Sequence, residues 1–264
     1  MRHFLLFVKQ QALSCLFPVS VFTLLALSHF VTGVLYRYDF MLIGCIGAQV
    51  LLVVLKIETI DELKVICIFH LLGLIMELFK VHFGSWAYPG PAITKFWGVP
   101  LYSGFMYASV ASYMCQAWRR LNLQLHNWPK HWIARIIGAL IYLNFFSNHF
   151  IPDMRYLVGL LILFFFRKAV VEFHIEGKAY RMQVILSFLL IGFFIWLAEN
   201  VATRLGAWKY AYQHKTWSIV DCQKISSWAF LVIVSFIIVT ELKTLKMQTV
   251  QNSDNRGLKS KRLA

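Results

Sequence analysis

The chain has 264 residues, 59% of them apolar, 16% aromatic and 14% charged, with 26 Lys and Arg against 12 Asp and Glu. Soluble domains run at roughly 45–50% apolar and about 25% charged. With a mean hydropathy of +0.63, this composition excludes a soluble enzyme, a disordered chain and a nucleic-acid-binding domain as first readings, and turns the Lys and Arg surplus into a topology signal.

Crossing a bilayer takes about 20 mostly apolar residues in a helix. Such runs lie near 11–33, 40–55, 64–82, 99–118, 132–151, 154–170, 182–203 and 225–242. They predict an all-α, polytopic membrane bundle of about eight spans. Pro18 lies inside the first run, where a kink is tolerated if neighbours satisfy the freed carbonyl. That run is too long for the apolar stretch of a signal peptide and is read as a retained anchor. The second and sixth runs are short and call for little tilt or local thinning. An even number of spans puts both termini on one side, and the loops of that side hold the larger share of Lys and Arg, so both termini are expected in the cytoplasm. Residues 247–264 form a polar, basic cytoplasmic tail, expected to be disordered. Four of the five cysteines fall in apolar runs and none forms a C-x-x-C pair.

The chain also matches itself. Glu77, Gly84, Trp86 and Tyr88 recur as Glu199, Gly206, Trp208 and Tyr210, each 122 positions later. Upstream, His29 and Arg37 are echoed by His149 and Arg155. The match predicts two four-helix repeats, residues 1–125 and 126–246. An offset of four spans makes them parallel, related by an axis near the membrane normal. Gly84 and Gly206 are expected as left-handed helix caps, and the Trp/Tyr pairs as interfacial anchors.

Caps and anchors leave the glutamates unexplained. Glu77 and Glu199 each follow a long apolar run and sit seven residues before the capping glycine, about 10 Å from the helix end at 1.5 Å per residue. An ionisable group at such depth costs at least about 2.5 kcal/mol and faces a bundle interior or a wet cavity. An ion pair of Glu77 with Lys80 is the structural alternative, but position 202 in the second half is alanine. His29 and His149 lie towards the same membrane side, so Glu77, Glu199, His29 and His149 are the candidate catalytic set. That set is adequate for an acid–base network or a divalent cation, yet it shows no H-x-x-x-H or H-E-x-x-H spacing, and metal and cofactor stay unassigned. Trp86, Tyr88, Trp208 and Tyr210 are the candidate substrate-binding residues. His70 lies on the face of Glu77, and Asn144 and Asn148 read as interhelical glue.

Glu77, Lys80, His82, Gly84-Ser85-Trp86, Tyr88-Pro89, Gly98-Val99-Pro100-Leu101, the run 103–109 and Trp118 together resemble the signature region of the YoaT-like family. Those are bacterial polytopic membrane proteins with a domain of unknown function, so the resemblance implies a bacterial cytoplasmic (inner) membrane and carries no chemistry. An acid in a membrane helix, then Gly-x-Trp-x-Tyr, then Gly-x-Pro-Leu is also distantly similar to membrane carotenoid cyclases and hydratases. In those, acids are thought to protonate a polyene. The cyclases' paired glutamates after Pro-Leu are Tyr102 and Ser103 here. Three functions follow as expectations: a membrane-embedded enzyme using the paired glutamates on an isoprenoid-like, lipid-soluble substrate; a proton-coupled small-solute transporter; and a structural or assembly protein. The expected partners are the lipid bilayer and a lipid-soluble small molecule, with no nucleic acid.

Overall fold

The computed structural model describes residues 1–31, 33–213 and 215–262, with side chains described as far as Lys243. Helices dominate. In chain order they are α1 (Arg2–Ser14), α2 (Leu16–Leu27), α3 (Arg37–Val54), α4 (Ile60–His82), α5 (Gly104–Arg120), α6 (His131–Ser147), α7 (Arg155–Phe166), α8 (Val184–Arg204) and α9 (Lys224–Arg262). Of the basic tail expected from 247, the backbone is described as part of α9 as far as Arg262, and the side chains lie outside the described residues.

Four of these helices are long and apolar enough to cross a membrane: α3, α4, α8 and the stretch Lys224–Lys243 of α9. The count rises to five if α1 and α2, bent by 60°, act as one span. The expectation of eight is thus met in part. α5 and α6 have 17 residues each, and α7 has 12, about 18 Å of helix against a hydrocarbon core of about 30 Å. Many large apolar side chains point outward, among them Ile43, Val54, Leu71, Leu143, Leu160 and Phe194, as a lipid-facing surface requires.

The first helical run breaks at Cys15, not at the proline. Pro18 sits in the first turn of α2, where its missing N–H has no intrahelical acceptor to lose. α5 is the innermost helix, packed on α4, α2, α1 and α9; α9 packs in turn on α8 and α6. The Thr59 hydroxyl and Glu62 carboxylate close a capping box at the start of α4, which fixes the frame of the helix carrying Glu77.

An all-α chain was expected, and short strands correct that. β4 (Gln124–His126), β5 (Val170–Ile175) and β6 (Lys178–Gln183) make a three-stranded antiparallel sheet beside α1. Glu176 and Gly177 both have positive φ at its hairpin, the backbone of a tight two-residue turn. At the other end of the bundle, β2 (Lys95–Phe96) pairs with β3 (Val99–Pro100) around Trp97-Gly98. Also at this end, β1 (Trp86–Ala87) pairs antiparallel with β7 (Lys209–Tyr210), Trp86 opposite Tyr210 and Ala87 opposite Lys209. Ala87 and Lys209 are 122 positions apart, so the ladder is centred on residues that the internal match equates.

α4 and α8 end alike. Gly84 (φ +69) and Gly206 (φ +70) follow the last turns. The N–H of Ser85 returns to the Lys80 carbonyl at 2.9 Å, and that of Ala207 to the Ala202 carbonyl at 3.0 Å. This six-to-one bond with a left-handed glycine is the Schellman stop. Each stop turns the chain back so that the aromatics two and four residues beyond the glycine pass over the buried end of their own helix.

Candidate functional site

Both glutamates are buried, Glu77 at 2% exposure and Glu199 at 3%, and both are held by aromatic donors. Glu77 Oε2 accepts from the Trp86 indole N–H at 2.7 Å and the Tyr88 hydroxyl at 2.8 Å; Oε1 accepts from the Tyr107 hydroxyl at 2.8 Å. Glu199 Oε1 accepts from the Tyr210 hydroxyl at 2.5 Å, and Oε2 from the Trp228 indole N–H at 2.7 Å. In each case one donor lies eleven positions after the acid in its own post-helix loop. Another comes from the next helix, 30 positions on for Tyr107 and 29 for Trp228. Trp208 departs from this pattern. It makes no hydrogen bond to Glu199 among the described residues, where Trp86 reaches the Glu77 carboxylate directly.

Burial, and after it the nearby glutamate charge, pushes the Tyr88 and Tyr210 hydroxyls well above the ordinary tyrosine range. Both therefore keep their protons and act as donors. The loop carrying Trp86 and Tyr88 is pinned by Asp39 at the start of α3, which accepts from the backbone N–H groups of Ile93 (2.8 Å) and Thr94 (2.9 Å). Lys95 closes the same loop from inside by donating to the carbonyls of Tyr88 and Gly90.

The two clusters meet through the β1–β7 pair. The Trp86 and Tyr210 rings lie edge to face with centroids 6.1 Å apart. The Lys224 ammonium lies 5.4 Å from the first ring centre and 4.8 Å from the second, within cation–π range of both. Beside them opens a cavity of about 240 Å³ bordered by α4, α5, α6 and the start of α9. Trp86, Tyr107, Tyr210 and Trp228 form one wall, Lys80, Arg155 and Lys224 line it with charge, and neither glutamate is among its lining residues.

The remaining candidates are placed differently from the sequence-based expectation. His29 and His149 do not join the glutamates. His29 Nε2 lies 3.1 Å from the Leu205 carbonyl and 3.2 Å from Arg37. His149 Nε2 lies 3.0 Å from Lys80 Nζ and 3.4 Å from Ser85 Oγ. His29 thus serves a carbonyl left open at the end of α8, whereas His149 meets side chains at the end of α4 and lines the cavity. Among the described residues no group of three His, Cys, Asp or Glu side chains is placed to hold a metal ion.

Lys80 turns away from Glu77 and donates to the Asn148 amide oxygen at 2.9 Å, so the alternative of an i,i+3 ion pair is not realised. Trp208 is buried in the main core instead of lining the cavity. His70 packs on Phe105, with ring centroids 4.4 Å apart. Asn144 does act as glue, donating to Asp153 at 3.0 Å and accepting from the Met154 N–H at 2.9 Å.

Sequence reasoning missed Tyr107, Trp228, Lys224 and Arg155 as neighbours of one site. Arg155 was visible as the echo of Arg37. Tyr107 and Trp228 stand 121 positions apart, a register that one deleted residue hides.

The lipid-type surface and the crossing helices define a multi-pass membrane protein. A family model described as "Protein of unknown function (DUF817)" matches residues 3–236, and the chain belongs to that family. It is 54% identical over 241 residues to the "Uncharacterized protein YoaT" of Bacillus subtilis (strain 168), a match covering 91% of each chain. No solved structure matches it significantly. The likeness to carotenoid cyclases and hydratases finds no support in these comparisons.

Proposed function

We propose that the protein is an inner-membrane binding protein that receives a lipid-soluble molecule in the cavity beside the β1–β7 pair. The observation that carries this reading is that four of the five donors to Glu77 and Glu199 form the wall of one cavity. A buried carboxylate locks aromatic rings whose faces would otherwise swing, and a pre-set apolar wall with few polar groups is the usual form of a small-molecule site. Acid catalysis by the glutamates would need a carboxyl proton aimed at the ligand. Here the groups facing their oxygens are themselves donors, and the carboxyls lie behind the wall. We therefore assign Glu77 and Glu199 as positioning residues, and Trp86, Tyr107, Tyr210 and Trp228 as contact residues.

The wider architecture belongs to the same proposal: two parallel four-helix units making eight crossings, both termini on the cytoplasmic face of a bacterial inner membrane. The dyad-like register of β1 and β7, the matched Schellman stops and the Lys/Arg bias support it. In this reading the cavity lies on the outer side. The test is native mass spectrometry of the full chain released from mild detergent, compared with Ser227→Phe, which places a ring in the cavity. The wild type should carry a co-purifying apolar species that the variant lacks. An identical set of bound species in both proteins contradicts the proposal.

A further inference from the structure

Three cations line the cavity, and none of its lining residues is an acid. Lys80 of α4 is 6% exposed and Lys224 opens α9, yet among the described residues neither lies within 4.0 Å of a carboxylate oxygen. Arg155, the third cation, pairs with Asp153 at 2.6 Å and also approaches the Ser226 hydroxyl at 3.4 Å. Glu77 and Glu199 act behind the wall, where their oxygens already accept aromatic donors. The positive end of the α9 dipole adds to the same side, and Ser227 offers a further hydroxyl.

The counterpart of this place in the other half lacks both lysines. The offset of 122 takes Lys80 to Ala202, and the offset of 121 that relates Tyr107 to Trp228 takes Lys224 to Ser103, beside Tyr102. Tyr102 is wholly buried and donates to the Ala207 carbonyl at 2.7 Å. Arg37, the echo of Arg155, turns onto the carbonyls of Leu205 and Gly206 and the Ser28 hydroxyl. The counterpart place keeps a cleft as well, lined by His29, Arg37, Arg204 and Lys209, but its arginine is spent on carbonyls, and Lys80 and Lys224 have no lysine equivalents there.

We infer that Lys80, Arg155 and Lys224 form a binding site for a phosphate group, carried by a lipid whose apolar part lies against Met76, Phe145 and Leu231. Lysines act as point charges for a phosphate and arginine as a planar fork. The apolar lining favours a headgroup with a hydrocarbon body over a free ion. This inference rests on the cavity being the ligand site proposed above.

The experiment titrates the full chain in dodecyl maltoside, following tryptophan fluorescence, with three probes: dihexanoyl phosphatidic acid, inorganic phosphate and uncharged dihexanoylglycerol. Phosphatidic acid should bind, and Lys80→Met and Lys224→Met should each weaken it at least tenfold. Lys209→Met, outside the cavity, should leave it unchanged. Lys80→Arg and Lys224→Arg should retain most of the affinity, which separates lost charge from lost folding. Inorganic phosphate binding as tightly, with the same lysine dependence, would support the phosphate site and name a free ion as its source. Absence of phosphate-probe binding, or affinities indifferent to both methionine variants, would overturn the inference. If dihexanoylglycerol still binds the wild type but not Ser227→Phe, the cavity reading survives that failure; if it does not, both fall.

Discussion

Trp86 and Tyr210 face one another across the β1–β7 pair, and each donates its hydrogen bond to a different buried glutamate, Trp86 to Glu77 and Tyr210 to Glu199. A disturbance at either acid is therefore felt on a wall that both halves build.

The two acids are not equal in what they hold. Removing the carboxylate strands three buried donors at Glu77 but two at Glu199, at about 1–3 kcal/mol for each donor left without a partner. Glu77→Ala should lower the midpoint of thermal unfolding in detergent more than Glu199→Ala, with each Gln variant milder than its Ala counterpart. The reverse order between the alanine variants would contradict the assignment of donors.

Gly73 touches the same network through packing. A methyl group there would come within 2.5 Å of the Tyr107 ring, whose hydroxyl serves Glu77. Gly73→Ala should cost about 1–3 kcal/mol, the usual range for overpacking. It should cost clearly less in a Tyr107→Ala background, because the clashing ring is gone. Additive losses in that double-mutant cycle would refute the contact.

The two Schellman glycines differ in their surroundings. Left-handed backbone costs an L-residue about 1–2 kcal/mol, which is all that Gly84→Ala should lose, since a Cβ there meets nothing within 4 Å. At Gly206 the added carbon would also lie 2.9 Å from Arg37 Nη1, which caps α8 through the Leu205 and Gly206 carbonyls. Gly206→Ala should be the more destabilising of the pair in thermal melts.

Asp153 gives a pH-dependent signature outside the spans. Burial raises its carboxyl, but hydrogen bonds from Asn144 and from the Arg155 backbone and side chain overcome that and hold it below the ordinary value of 3.8. A depressed carboxyl stabilises the fold fully above the unfolded value and loses that contribution as the pH falls through the folded one. The stability gap between wild type and Asp153→Asn should be constant above about pH 5 and shrink below about pH 4. A gap that widens on acidification would be the wrong sign.

Membrane character was legible from composition alone, and the glutamates from their depth in apolar runs. Gly84 and Gly206 were legible as caps because only a left-handed residue ends a helix in that way. Depth says nothing of direction, however, and Lys80 shows why. Spacing put it beside Glu77, whereas Asn148 and His149, some 70 residues away, offer it better acceptors. The histidines are held away from the glutamates by other partners, His29 by the Leu205 carbonyl and Arg37, and His149 by Lys80 and Ser85. The hairpin Val170–Gln183 was hidden inside what reads as a polar loop, although Glu176-Gly177 between two alternating runs is a turn signal. Helix lengths were overestimated at α5, α6 and α7 because apolar composition continues into turns that the backbone has already left.

The central claim is that the two halves meet at Ala87 and Lys209, bringing both glutamate clusters onto a shared wall. Opposed residues of an antiparallel pair have Cα atoms about 4.5–5.5 Å apart, within reach of a disulfide. The most direct measurement is oxidation of the Ala87→Cys, Lys209→Cys double variant, in a Cys222→Ser background, in native membranes. The account predicts an intramolecular cross-link in most of the protein, reversible by reductant and absent from either single variant. Cysteines that stay free under the same oxidation, or that join only separate chains, would contradict it.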